Sequence, residues 1–168
     1  MSIIRDKSLT EEGKAKIAWV KKHMPVLNVL AEKYRKDKPF KGLNISICLH
    51  LEAKSAYLAQ VLADSGAKVA ITGSNPLSTQ DDVAAALDDY GVDVFSWYNA
   101  SDKEYNNFLE TTLKENQPNL VIDDGGDLVS LLHREDNKHF LDNIIGGSEE
   151  TTTGVMRLKA MENNKILQ

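Results

Sequence analysis

The chain has 168 residues, 20 Lys and Arg against 25 Asp and Glu, and a formal net charge of −5. That length suits one domain, and the acidic balance excludes a nucleic-acid groove, because phosphate backbones demand clustered cations. The single cysteine, Cys48, excludes an internal disulfide framework and fits a reducing compartment.

In chain order, Ser8-Leu9-Thr10-Glu11 reads as a capping box, with Ser8 serving the first turn and Glu11 reaching back. Ile17, Val20, Met24, Leu27, Leu30 and Tyr34 follow helical spacing. Pro25 falls inside that pattern, so a kink or two abutting helices is expected before the arm ends near Lys38-Pro39. The basic run from Lys21 to Pro39 is broken by apolar residues and Glu32, which reads as a solvated helix face.

Beyond the arm, strand and helix alternate. Gly42–Leu49 is a short apolar strand, and Glu52–Gly66 a helix ended by glycine. Residues 67–73 form a second strand, residues 79–91 a second helix, and Val92–Trp97 a third strand. Ser101-Asp102-Lys103-Glu104 is another capping box, opening a helix to about Asn116. Leu120–Ile122 is a fourth strand, and one or two helices cover Leu128–Leu141. Ile144-Ile145 is a candidate fifth strand, and residues 151–164 close as a helix. Apolar rather than alternating strands, separated by helices, predict a parallel sheet covered on both faces. Right-handed crossovers make it a three-layer doubly wound α/β fold, Rossmann-like or flavodoxin-like, carrying an N-terminal helical arm. The expected division is an arm over 1–41 and an α/β domain over 42–168.

Several classes drop out on motif grounds. No apolar run approaches the roughly 20 residues that span a bilayer. The opening MSIIRDKSLTEEG lacks the apolar stretch of a secretory signal, so cytoplasm is the expected location. His23, His50, His133, His139 and Cys48 show no zinc-ligand spacing. No GxGxxG follows any strand, and the closest cluster, Gly125-Gly126, lacks the third glycine.

Open parallel sheets bind ligands beyond the carboxyl ends of their strands. Three of those exits are dense in polar side chains: His50 to Ser55, Gly73 to Asp82, and Asp123 to Asp127. The turn before the last helix, Ser148-Glu149-Glu150-Thr151, adds a fourth cluster. Each has a plain structural reading beside the functional one. His50 is a satisfied, partly buried imidazole or a ligand contact. Ser78, Thr79 or Asp81 caps the second helix. Asp123-Asp124-Gly125-Gly126 is a turn, and Ser148-Glu149-Glu150 a helix cap with favourable charge. Together on one sheet edge, they would surround a polar, neutral or cationic ligand with acceptors. A phosphate is disfavoured, since the glycine-containing loops hold no Lys or Arg.

CLH at Cys48–His50, SNPLSTQDDVAAAL at Ser74–Leu87, IDDGGDL at Ile122–Leu128 and SEETTTGV at Ser148–Val155 resemble, in order and spacing, the substrate-binding region of the S-adenosylhomocysteine hydrolase family. The resemblance runs from about Leu9 onward. It implies hydrolysis of S-adenosylhomocysteine to adenosine and homocysteine. Members oxidise the ribose 3′-hydroxyl with tightly bound NAD, eliminate homocysteine, add water and reduce the ketone again. By the same resemblance, Asp124 falls at the acid/base aspartate near C4′ and C5′, and His50 beside the leaving group. Glu150 and Thr151 fall at ribose-hydroxyl contacts, and Asn75 and Ser78 along the pocket wall on the homocysteine side.

The family carries NAD on a separate domain that follows this region. No NAD is therefore expected on these 168 residues alone, nor turnover by them. The expected partners are the NAD domain or full-length subunits, besides the nucleoside thioether, adenosine or inosine, and homocysteine. The alternatives are a freestanding nucleoside-binding module and a truncated paralogue without catalysis. One departure concerns the base. Better-known members have Thr and Glu where this chain has Glu52 and Lys54, a pair that reads the purine edge. Exchanging donor and acceptor inverts the pattern and matches hypoxanthine, which implies tolerance of or preference for S-inosylhomocysteine. Lys54 as a solvated helix residue is the competing reading.

Overall fold

The structure, a computed structural model, describes residues 1–167. The helical arm is two abutting helices, α1 (Thr10–Lys21) and α2 (Pro25–Asp37). Pro25 begins α2, where its missing N–H has no partner to lose. The alternation then runs β1 (Asn44–Leu49), α3 (Ala53–Asp64), β2 (Lys68–Gly73), α4 (Asp81–Tyr90), β3 (Asp93–Val94), α5 (Asp102–Asn116), β4 (Leu120–Asp123), α6 (Asp127–Leu132), a 3₁₀ stretch (Glu135–Asn143), β5 (Gly146–Glu149) and α7 (Thr152–Asn163).

All five strands are parallel, in the order β3-β2-β1-β4-β5. This is the three-layer doubly wound fold, and its two faces can be read residue by residue. Ile45, Ile47 and Leu49 of β1 with Val69 and Ile71 of β2 share one core with Tyr57 of α3 and Leu87 of α4. Ile17 and Val20 join it from α1, which packs on α3 and α4. Cys48 and Val121 point the other way, against Leu109 and Leu113 of α5 and Leu128 and Leu131 of α6. Strands buried on both faces lose the polar alternation of a half-exposed sheet, which is why they read as apolar runs. The polar residue Ser46 is tolerated in that interior because its Oγ accepts Asn116 Nδ2 at 3.0 Å.

Three local expectations are corrected. The arm begins with Asp6, whose carboxylate accepts Ser8 N–H over a 3₁₀ turn at Lys7–Leu9. Ser8 does not cap α1, because that turn intervenes and α1 starts only at Thr10. The third strand shrinks to Asp93–Val94, and Ile3 bridges Phe95 beside it, so the N-terminal segment shields this sheet edge. The fifth strand is Gly146–Glu149, not Ile144-Ile145. It pairs with β4 through backbone alone from Leu120↔Gly146 to Asp123↔Glu149, and its glycines carry no apolar signal for pattern reading. The capping box at Ser101 forms as expected, with Ser101 N–H on Glu104 Oε2 at 2.8 Å and Glu104 N–H on Ser101 Oγ at 3.4 Å.

Candidate functional site

Register places the site. Leu49 of β1 pairs Gly73 of β2, Cys48 pairs Asp123 of β4, and Asp123 pairs Glu149 of β5. The residues just past these ends are His50, Ser74, Asp124 and Glu150, so four strand exits emerge side by side. The strand order reverses between β1 and β4, the switch point where open sheets leave a crevice. His50 and Asp124 stand on its two sides.

Across it, His50 Nε2 lies 3.4 Å from Asp124 Oδ2. Ser74 Oγ donates to the same carboxylate oxygen at 2.9 Å. On the far side of the ring, His50 Nδ1 lies 2.5 Å from Ser78 Oγ. Ser78 Oγ also donates to Asn75 O at 3.0 Å. With that hydroxyl proton on the carbonyl, Nδ1–H donates to Ser78, and Nε2 is left facing the carboxylate. The ring thus presents one nitrogen to a hydroxyl and the other to a carboxylate oxygen.

Two adjoining hollows meet at His50, while Asp124 borders neither and reaches them through its contact with that ring. One of about 560 Å³ has apolar walls from Met24, Pro25, Leu27 and Leu30 of the arm with Leu49 and Leu58. The other, of about 650 Å³, is bordered by Leu77, Ser78 and Tyr98. His50, Glu52, Lys54 and Glu150 line both. Glu52 Oε1 and Lys54 Nζ lie 3.8 Å apart, an acceptor and a donor presented together. A flat, apolar body with a polar edge fits the first hollow, and hydroxyl-rich or zwitterionic groups fit the second.

Of the expected residues, Asp124, Asn75 and Thr151 border neither hollow. Asn75 shapes the turn after β2: its Oδ1 accepts Leu77 N–H at 2.9 Å, and its carbonyl accepts Ser78 and Thr79. Thr151 precedes α7, with Oγ1 3.5 Å from Thr153 Oγ1, and it lines neither hollow. Neither Ser78, Thr79 nor Asp81 caps α4, which starts after Gln80 without a side-chain cap. Asp81 instead accepts Tyr98 N–H at 2.7 Å and ties the exits of β2 and β3 together.

A supporting layer lies beneath. Asp123 is buried, and its carboxylate accepts Asp124 N–H at 3.1 Å and Val129 N–H at 3.0 Å. Burial pushes its acid up to about 6 against the pull of the Val129 and Asp124 amides, and Glu149 and Asp127 add to the rise. Gly125 has φ of +101°, so the loop turns where a side chain would be strained. Asp127 accepts Tyr105 OH at 2.7 Å and Arg157 Nη1 at 2.6 Å, and Arg157 also donates to Gly125 O at 3.0 Å. Sequence reading placed Ser74 and Asp127 in strand-exit clusters without giving either a role, and it missed Tyr105 and Arg157, whose partners lie on other elements. It also missed the arm as a site wall, for which Pro25 after Met24 was the available signal.

A five-strand parallel sheet with helices on both faces and polar side chains gathered at its switch point defines a doubly wound α/β protein. Its family follows from comparison. Residues 2–143 match the model of the S-adenosyl-L-homocysteine hydrolase family, and the chain belongs to that family. It is 53% identical over 98% of its length to an S-inosyl-L-homocysteine hydrolase of Methanocaldococcus jannaschii. It is 51% identical to an adenosylhomocysteinase of Pyrococcus abyssi and 47% identical to one of Saccharolobus solfataricus, again over 98% of its length. The chain spans 39% of the length of each of these relatives. Among the described residues, no helix is long and apolar enough to cross a membrane.

Proposed function

We propose that this chain is the nucleoside-thioether-binding part of a hydrolase of the adenosylhomocysteinase type, acting on S-adenosylhomocysteine or its inosyl counterpart. The observation that carries this reading is the convergence of His50, Glu52, Lys54 and Glu150 on one crevice, with Asp124 3.4 Å from His50. Glu150 accepts from the ribose hydroxyls, a contact that costs little desolvation because the diol donates back. The base lies in the apolar trough beside the arm with its edge toward Glu52 and Lys54. Asp124 serves as acid/base near C4′ and C5′, and His50 stands on the homocysteine side with Ser78 behind it. Asn75 and Thr151 shape the turns beside this site.

The described residues do not fit NAD. A dinucleotide pyrophosphate rests on a glycine-rich turn at a helix N-terminus. The turn after β1 instead has buried Leu51 and the carboxylate of Glu52 at the start of α3. The loop after β4 is held shut by Glu149 and Arg157. Family resemblance assigns NAD to a part of the enzyme outside this chain, and these residues bind and orient substrate without turning it over alone.

The Glu52–Lys54 pair favours the inosyl thioether. Hypoxanthine presents N1–H to an acceptor and a 6-oxo group to a donor, the order that Glu52 and Lys54 offer; adenine presents the reverse. A built hydrogen-bond pattern discriminates strongly against the wrong edge. Calorimetric titration of the full chain with adenosine and inosine tests both statements. Binding with Kd around the millimolar range, about 4 kcal/mol, and tighter for inosine is expected. Absence of binding by either nucleoside overturns the site, and a clear adenosine preference overturns the inosyl reading alone.

A further inference from the structure

Glu149 ends β5, and its side chain turns inward instead of toward the crevice. Its Oε1 accepts Gly125 N–H at 2.9 Å and Thr151 N–H at 2.9 Å. One oxygen therefore holds both the loop after β4 and the turn after β5. The sequence neighbours of those two anchored residues are Asp124 and Glu150. The backbone adds a third stitch, Glu150 N–H on Asp123 O at 2.9 Å.

Two locally unfavourable choices meet at this contact. Glu149 Oε2 is buried with no hydrogen-bond partner among the described residues. A carboxylate oxygen left so costs stability that a smaller apolar side chain would not. Residue 154, inside the first turn of α7, is glycine, a poor helix former. A Cβ there would overlap the Glu149 carboxylate carbon and both of its oxygens. Local rules broken in pairs, with each break explaining the other, mark a position kept for its geometry.

We propose that Glu149 is a positioning residue, the carboxylate that sets the spacing between Asp124 and Glu150, with Gly154 the cleft that admits it. The inference rests on the nucleoside reading above and adds a residue that touches no substrate. Glu149→Ala removes the acceptor. Gly154→Ala leaves the acceptor but expels it. Glu149→Gln keeps an oxygen where Oε1 stands.

The test is amide hydrogen exchange of the full chain and these variants, with Ile47 of β1 as the internal control, alongside titration with adenosine and inosine. Glu149→Ala and Gly154→Ala are expected to lower protection at Gly125 and Thr151 by about tenfold relative to Ile47, while Glu149→Gln stays within about threefold. Nucleoside affinity follows the same order. If Glu149→Ala does not fold, Glu149→Asp takes its place, being one methylene too short to hold both amides. Unchanged protection in both alanine variants overturns the proposal, and so does lost protection with unchanged nucleoside affinity. A wild-type chain that binds neither nucleoside sinks the nucleoside reading, and the exchange measurement still decides whether Glu149 joins the loops.

Discussion

His50 and Asp124 face each other across the gap between β1 and β4, Nε2 to Oδ2 at 3.4 Å. The histidine is half exposed while the carboxylate is largely covered, so water screens the pair. A pair of this kind contributes about 0–1 kcal/mol to stability. In a double-mutant cycle of His50→Ala and Asp124→Asn, followed by urea unfolding, the coupling is expected to stay below about 1 kcal/mol. A coupling of several kcal/mol would make the pair part of the scaffold instead of a device for moving a proton.

Under the proposed function, base selection is assigned to Glu52 and Lys54. Exchanging them together for Thr and Glu restores the purine-edge pattern of adenine-reading members of the family. The preference for inosine over adenosine is expected to shift toward adenosine by about tenfold or more. Thr also caps helices well, so α3 should keep its start. Parallel titrations of the double variant and wild type measure the ratio. An unmoved ratio would return Lys54 to the solvated helix surface.

Asp123 gives the fold a pH dependence of definite sign. The folded chain keeps its proton to about pH 6, whereas an ordinary aspartate releases it near 3.8. Between those values the folded state binds more protons, so this group's contribution to stability falls as pH rises, by roughly 3 kcal/mol in all. Asp123→Asn has no such proton. The stability difference, wild type minus Asp123→Asn, should therefore be most favourable to wild type near pH 4 and decline by pH 7. Urea unfolding at both values measures it, and a flat difference would contradict the assignment.

Cys48 sits on β1 with no exposed surface. Burial pushes its thiol well above 9, and the charges of Asp123 and Asp127 push in the same direction. Only a thiolate attacks a disulfide reagent. The native chain should resist such a reagent at pH 8 and react stoichiometrically in denaturant. Fast native labelling would show that the α5–α6 side of the sheet opens readily.

Ser46→Ala removes the acceptor for Asn116 Nδ2 and leaves a buried amide donor unpaired. The expected cost is about 1–3 kcal/mol by urea unfolding, more than the loss of one hydroxyl at the surface. A neutral substitution would mean that α5 shifts to let water reach Asn116.

Much of this protein was present in local sequence. Doubly buried apolar runs, helix-ending glycines and the Ser101 capping box predicted the parallel α/β fold, because each reflects a preference acting within a few residues. His50, Glu52, Lys54, Asp124 and Glu150 were legible as strand-exit clusters, since a parallel sheet places all such exits on one edge. Tertiary structure alone decided what depends on distant partners. β5 exists through backbone pairing to β4, which its glycines do not advertise. The arm became a wall of the site by packing α2 beside α3, and Glu149 turned inward because Gly154, across the turn, leaves it room. Sequence periodicity records which face of an element is buried; which element buries it, and what hydrogen-bonds across the gap, is fixed only when the chain closes on itself.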